Sequence, residues 1–416
     1  MITKIQIENF RSCENVLLKD LGSLVALIGR NGVGKTNVLR AVVWMARMAT
    51  VPDFALQNMS WIHTDTDYKK PPRVSIDVKV GNDLYSYSIT QAIDRAKDAT
   101  KKASTLRISL KESIQRASNG GEPIDIIARE GTKITSPLRK EPISINALTG
   151  ALRALTSILP KDDPLITAVS PLLNVLVAIR YYPLDEPSDP FRDGANAGRG
   201  WVEGKSHSEW LTQYTNTGHP DDSVEMRIIH MSQADPEHFD ELKQWLGKDA
   251  LGLIDEIFVT KYPQKPDGNK DSDSKKQPDF WLISFRPSCG AGDNQKWVGY
   301  SDLSTGTRRI IRLLSSMIFD KSEVMLLEHP EDGIHSGLVS KLIGLLRSNV
   351  GTKQAIVSSH SLTILNSLAP KELRLVTMTN GKTSVRSLKS KEIRVASKYI
   401  ADEGTLGGFV GLIEGD

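Results

Sequence analysis

The chain has 416 residues, 39% hydrophobic and 25% charged, with a formal net charge of +3. That length exceeds what one hydrophobic core usually organises, so a large domain carrying an insertion, or two domains, is expected. The near-neutral balance excludes a uniformly basic nucleic-acid binder, no apolar run is long enough for a membrane span, and Cys13 and Cys289 are too few for a metal cluster or disulfide framework.

The N-terminus, MITKIQIENF, alternates apolar and polar residues as a strand does and lacks the layout of a signal peptide, which fits a cytoplasmic protein. Leu24 to Ile28 is a continuous apolar run, expected to be a strand buried on both faces, and it ends at a glycine. Thr36 to Met48 then carries apolar residues on a helical period. Segments 73–80 and 84–90 alternate like strands around Gly81, Asn82 and Asp83, predicting a hairpin in a smaller antiparallel sheet. From about Lys111 to Arg180, prolines at 123, 137, 142, 160, 164 and 171 divide the chain into short pieces, read as a largely helical insertion. Residues 185–219 are rich in Gly, Asn, Asp and Ser, and 263–279 form a polar tract with the composition of a mobile loop. From Phe280 the strand and helix alternation resumes, with apolar strands at 324–327 and 355–358. The fold class that follows is α/β, with a mainly parallel core sheet. The expected division is 1–110, a first half of the head; 111–279, the insertion; and 280–416, its second half.

Four elements carry chemistry. Gly29-Arg30-Asn31-Gly32-Val33-Gly34-Lys35-Thr36 is a complete GxxxxGKT loop between a buried strand and an amphipathic helix. Glycines let the backbone curl around phosphates, and N–H groups at the helix start face negative charge. Lys35 reaches the terminal phosphates, and Thr36 offers its hydroxyl to magnesium. Leu303-Ser304-Thr305-Gly306-Thr307 opens a helix, and taken alone Ser304 reads as an N-cap. Val324 to Glu328 is an apolar strand ending in a carboxylate, the arrangement that holds magnesium beside a triphosphate. A last apolar strand leads to Ser358-Ser359-His360-Ser361 and puts an imidazole at a strand end.

These elements in this order resemble the ABC ATPases, and among them the heads of RecF, the SMC proteins and the overcoming-lysogenization-defect family. Asn9-Phe10-Arg11-Ser12 is similar to the first-strand motif, Leu303 to Thr307 to the signature, Glu328 to His335 to the Walker B and D-loop region, and His360 to the switch histidine. The resemblance implies ATP and Mg2+ as ligands, the latter on Thr36 and Glu328. It implies nucleotide contacts from Arg11, Asn31, Gly32, Val33, Gly34, Lys35, Thr36 and Asn37. Ser304 and Gly306 would touch the γ-phosphate held by a second copy, so that two heads close on two nucleotides. The magnesium-completing glutamine is left open among Gln57, Gln91 and Gln115.

Two departures matter. Where the family places a catalytic glutamate, this chain has His329, between Glu328 and Pro330. Neutral imidazole accepts a proton but lacks the charge and reach of glutamate, so slow or absent hydrolysis is expected. Only 56 residues follow His360, with no clustered carboxylates, whereas the overcoming-lysogenization-defect proteins continue into a nuclease domain. The resemblance therefore favours an antiphage switch, like the ATPases of Septu-type and PARIS-type pairs, that acts through a separate effector such as a nuclease. The other reading is a DNA-clamping repair ATPase, for which Lys69, Lys70 and Arg73 are the basic cluster at hand.

Overall fold

The computed structural model describes residues 1–51, 70–96, 105–183, 201–203, 207–212, 224–262, 280–288, 296–319, 322–349, 353–402 and 404–414. They fall into two compact units: Met1–Tyr182 with Ser322–Pro330 and Ile343–Asp416, and Pro183–Lys321 with Glu331–Leu342.

The first unit is built on a six-stranded sheet. Its order is Ile179–Tyr182, Val324–Glu328, Gln354–Ser359, Leu24–Ile28, Leu373–Thr379 and Lys382–Ser387. The first five strands run parallel and the last is antiparallel to its neighbour. Leu24–Ile28, Val324–Glu328 and Gln354–Ser359 are buried at every position, as central parallel strands covered on both faces must be. Leu27 and Glu328 both pair with Ser358, so these strands finish at one carboxyl edge, the place where open α/β sheets bind ligands.

An antiparallel sheet of eight strands completes the unit, in the order Cys13–Leu18, Ile2–Phe10, Arg73–Val80, Asp83–Ala96, Thr105–Ser118, Ile124–Glu130, Lys133–Thr135 and Ile143–Ser144. The hairpin around Gly81 forms as its residues predict. By strand count this sheet is the larger of the two, against the expectation of a smaller one. The difference arises between residues 105 and 144, where strands replace the expected helical stretch. Pro123, Pro137 and Pro142 sit between these strands rather than dividing helices, and Asn119, Gly120 and Gly131 supply the left-handed turns. Helices do follow, at Ala151–Ile158 and Pro164–Val177.

The helix Lys35–Thr50 buries Val38, Leu39, Val42, Trp44 and Met45 in a core shared by both sheets, with the Trp44 ring centroid 5.8 Å from that of Phe10. This fixes its N-terminus at the carboxyl edge.

The second unit holds a three-stranded antiparallel sheet, in the order Trp201–Glu203, Phe280–Pro287, Ile254–Tyr262, and the helices Val224–Ala234, Pro236–Leu246 and Thr305–Phe319. The two units divide the chain differently from the expected boundaries. Residues 111–182 pack with the N-terminal segment, and Thr305–Phe319 packs with the strands and helices of the second unit. Most of 185–219 and all of 263–279 lie outside the described residues. Among the described residues no helix is long and apolar enough to cross a membrane.

Candidate nucleotide site

The loop after Leu24–Ile28 turns through Gly32 and Gly34, at φ 81° and 97°. These are left-handed values that a side chain would strain. At Gly34 a β-carbon would also lie 2.0 Å from Thr383 Oγ1 and 2.8 Å from Ser12 Oγ, so only glycine fits. Lys35 is buried, and its Nζ donates to the carbonyls of Gly29 and Arg30, both at 2.8 Å, which places the ammonium inside the loop. No acidic residue occupies the first turn of the helix that Lys35 opens, so its partial positive charge stays available to an anion.

Thr36 donates its hydroxyl to the Glu328 carboxylate, and Tyr181 does the same from the adjacent parallel strand. A hydroxyl and a carboxylate meeting at the foot of a phosphate loop are the hard oxygen donors that magnesium takes, so this pair fits the ion. Tyr181 was not legible as a site residue. Burial, then the hydrogen bond to Glu328, raises its phenol pKa, and it stays a protonated donor that orients the carboxylate.

A directed chain of donors supports the loop from behind. Asn37 Nδ2 donates to Ser12 Oγ at 2.8 Å, Ser12 Oγ lies 2.7 Å from Thr383 Oγ1, and Thr383 donates to the Val33 carbonyl at 2.9 Å. With the single Thr383 proton committed to Val33, Ser12 is the donor between the two hydroxyls. Arg11, at φ 52°, reaches Asn37 Oδ1 at 3.4 Å. Burial and neighbouring Arg40 lower its guanidinium pKa while Tyr181 raises it.

His329 follows Glu328 at φ 44°, with its N–H donating to the Ser358 carbonyl at 2.9 Å. Its Nδ1 lies 3.1 Å from Nδ1 of His360. The two imidazoles expected at the base and switch positions thus meet at the carboxyl edge.

Residues 24–151 and 261–366, more than half of the chain, match the family described as "AAA domain, putative AbiEii toxin, Type IV TA system". The chain belongs to this family. Membership implies nucleotide binding, usually with Mg2+, by an ATPase. No curated protein matches the chain. Similar solved structures include an SMC head domain from Thermotoga maritima, at 12% identity over 93% of this chain and 99% of that one, with a TM-score of 0.39. Another is an SMC head bound to the C-winged helix domain of ScpA (12%, 94% and 99%, 0.48). A third is an Smc head with an extended coiled coil bound to the C-terminal domain of ScpA, derived from Pyrococcus furiosus (14%, 96% and 99%, 0.40).

Leu303 to Thr307, the segment expected to be the signature, belongs to the second compact unit. There Ser304 Oγ accepts the Thr307 N–H at 3.2 Å and lies 2.8 Å from Thr307 Oγ1, so Ser304 does cap the helix Thr305–Phe319. Gly306 lies so close to Gly333 that a β-carbon would stand 2.3 Å from that carbonyl oxygen. Of the three glutamines, Gln57 is outside the described residues, and Gln115 donates to Asp125 at 2.8 Å on the antiparallel sheet. Gln91 is fully buried, and among the described residues its side-chain amide has no hydrogen-bond partner. Neither of these two glutamines bonds to Thr36 or Glu328. Cys13 is a free, buried thiol whose pKa burial pushes up to about 12, and Cys289 lies outside the described residues. Lys70 pairs with Glu14 at 3.7 Å, Arg73 is exposed, and Lys69 lies outside the described residues.

Proposed function

We propose that this chain is an ATP-controlled, dimerising switch of cytoplasmic antiphage defence that holds or releases a separate effector, a nuclease being the class expected. The observation that carries the reading is His329. Beside a carboxylate suited to magnesium the chain places an imidazole set against His360, where a glutamate would activate water. In this reading the N–H groups of Asn31, Gly32, Val33 and Gly34 face the phosphates, Lys35 meets the terminal ones, and Arg11 and Asn37 lie beside the nucleotide. Thr36 and Glu328 hold Mg2+, which supplies charge neutralisation at the γ-phosphate. His360 senses that phosphate, and Ser304 and Gly306 of a second copy close over it. Without the negative charge and reach of glutamate at position 329, the closed state is long-lived, as a switch requires and a motor does not. The toxin–antitoxin wording attached to the family supports a role in bacterial conflict.

The test is affinity purification from native cells, followed by sizing with ATP, ADP or no nucleotide. A nuclease that co-purifies and changes its association with ATP supports the reading. Retention of DNA with no protein partner replaces it with a repair ATPase.

A further inference from the structure

We propose that His329 and His360 form a chelating pair for a first-row transition cation of the zinc class, distinct in chemistry from the oxygen site at Thr36 and Glu328. Two imidazole nitrogens bound to one zinc at about 2.0–2.1 Å each stand about 2.9–3.4 Å apart, from a right-angled to a tetrahedral arrangement. The Nδ1 atoms of His329 and His360 are 3.1 Å apart, within that span.

The backbone holds this spacing. His329 keeps a left-handed conformation that side chains seldom adopt, and its N–H is tied to the carbonyl of Ser358, two residues before His360. Ser361, the next residue, caps the helix Leu362–Asn366 through the Thr363 N–H, which fixes the chain on the other side of His360. His329 is buried while His360 is exposed, so the pair joins a rigid base to a route for an ion. Neutral imidazoles favour zinc, cobalt, nickel and copper, whereas magnesium takes oxygen. A glutamate at 329 would have made an oxygen ligand. The departure that weakens the general base therefore creates a nitrogen site.

A metal on Nδ1 of His329 withdraws that nitrogen from proton transfer and holds both rings in place. Zinc is then an inhibitor of turnover, and this consequence alone rests on the function proposed above. The site itself does not.

The full-length chain, free of nucleotide, is titrated with Co2+ and followed by its visible absorption, then with Zn2+ by calorimetry. The wild type is compared with His329→Ala, His360→Ala, His360→Gln and Lys35→Ala. Wild type and Lys35→Ala should take up one equivalent with the absorption of nitrogen-bound cobalt. Each histidine variant should bind at least about 10-fold more weakly, a loss that even outer-shell changes at metal sites reach. His360→Gln keeps a hydrogen-bonding side chain beside His329, and circular dichroism verifies its fold. Equal uptake by wild type and the histidine variants, or none by a folded wild type, overturns the proposal and leaves an ordinary imidazole hydrogen bond. Because Lys35→Ala removes nucleotide binding in our reading, cobalt uptake by that variant separates the metal site from the ATP site.

Discussion

Thr383→Val tests whether the C-terminal hairpin governs the phosphate loop. Thr383 is 4% exposed, donates to the Val33 carbonyl at 2.9 Å and meets Ser12 Oγ at 2.7 Å. Valine keeps the shape, and the backbone bond from the Thr383 N–H to Ser12 stays, so only the two hydroxyl contacts go. At about 0.5–1.5 kcal/mol net for each, the loss is about 1–3 kcal/mol, and burial leaves no water to replace it. In the proposed function Val33 lies within the loop whose N–H groups face the phosphates, so the freed loop must be reordered when ATP arrives. If the whole loss falls on binding, affinity drops by about 5-fold to 150-fold. Thr383→Ser retains the hydroxyl and should bind close to wild type. Calorimetric titration with ATP and Mg2+ reads the affinities, and a thermal melt reads stability in parallel. Wild-type affinity in the valine variant, with only a lowered melting temperature, would refute the argument and reduce the hydroxyl to a packing group.

Lys35→Ala should abolish ATP binding, because it removes the only ammonium held by the Gly29 and Arg30 carbonyls among the described residues; retention of a fluorescent ATP analogue would count against the site. Ser304→Arg should leave monomers binding ATP yet abolish ATP-dependent dimerisation in light scattering; a dimer that survives returns Ser304 to a helix cap alone. His329→Glu should raise steady-state hydrolysis by about 100-fold to 10,000-fold, the usual worth of a positioned general base, while His329→Ala changes it little. Collapse of a rapid wild-type rate in the alanine variant would sink the slow-switch reading. In the second unit burial lowers the pKa of His207 and His230, the latter opposed by Asp235. The unfolded chain therefore takes up protons first as pH falls, so stability is full above about 6.5 and declines below it. A melting temperature that follows this course in wild type, and less steeply in His207→Phe, where His230 remains, is the expected record; a pH-independent wild type contradicts it.

How much was legible follows from how far each contact reaches along the chain. The glycine-rich loop and its helix could be read because the GxxxxGKT pattern fixes residue types at consecutive positions. The parallel strands could be read because burial on both faces makes them apolar throughout. Glu328 and His360 followed from strand ends that the register aligns. Tyr181 and Thr383 gave no such signal. Their partners lie 147 residues away at Glu328 and 350 at Val33, and a tyrosine on a short strand or a threonine on an edge strand has many ordinary uses.

The strands of 105–144 were hidden by a different cause. The core face of Thr105–Ser118 reads Leu110, Glu112, Ile114, and the charge breaks the apolar alternation that marks a strand. Glu112 is tolerated there because Tyr87 donates to it at 2.7 Å, Arg129 pairs with it, and the Ala151 N–H that opens a helix donates to it at 2.8 Å. Arg129 in turn donates to the carbonyls of Gly131, Asn146, Ala147 and Thr149. A buried ion pair is a poor source of stability compared with an apolar filling, but removing one member leaves the other stranded at a cost of about 3–5 kcal/mol. What the pair supplies is position. It fastens the residues before Ala151 to the antiparallel sheet, and the helix they lead into packs with Lys35–Thr50 in the shared core. Polar residues with distant partners therefore serve twice in this chain, concealing the sheet from pattern reading and holding the phosphate-loop helix where the carboxyl edge needs it.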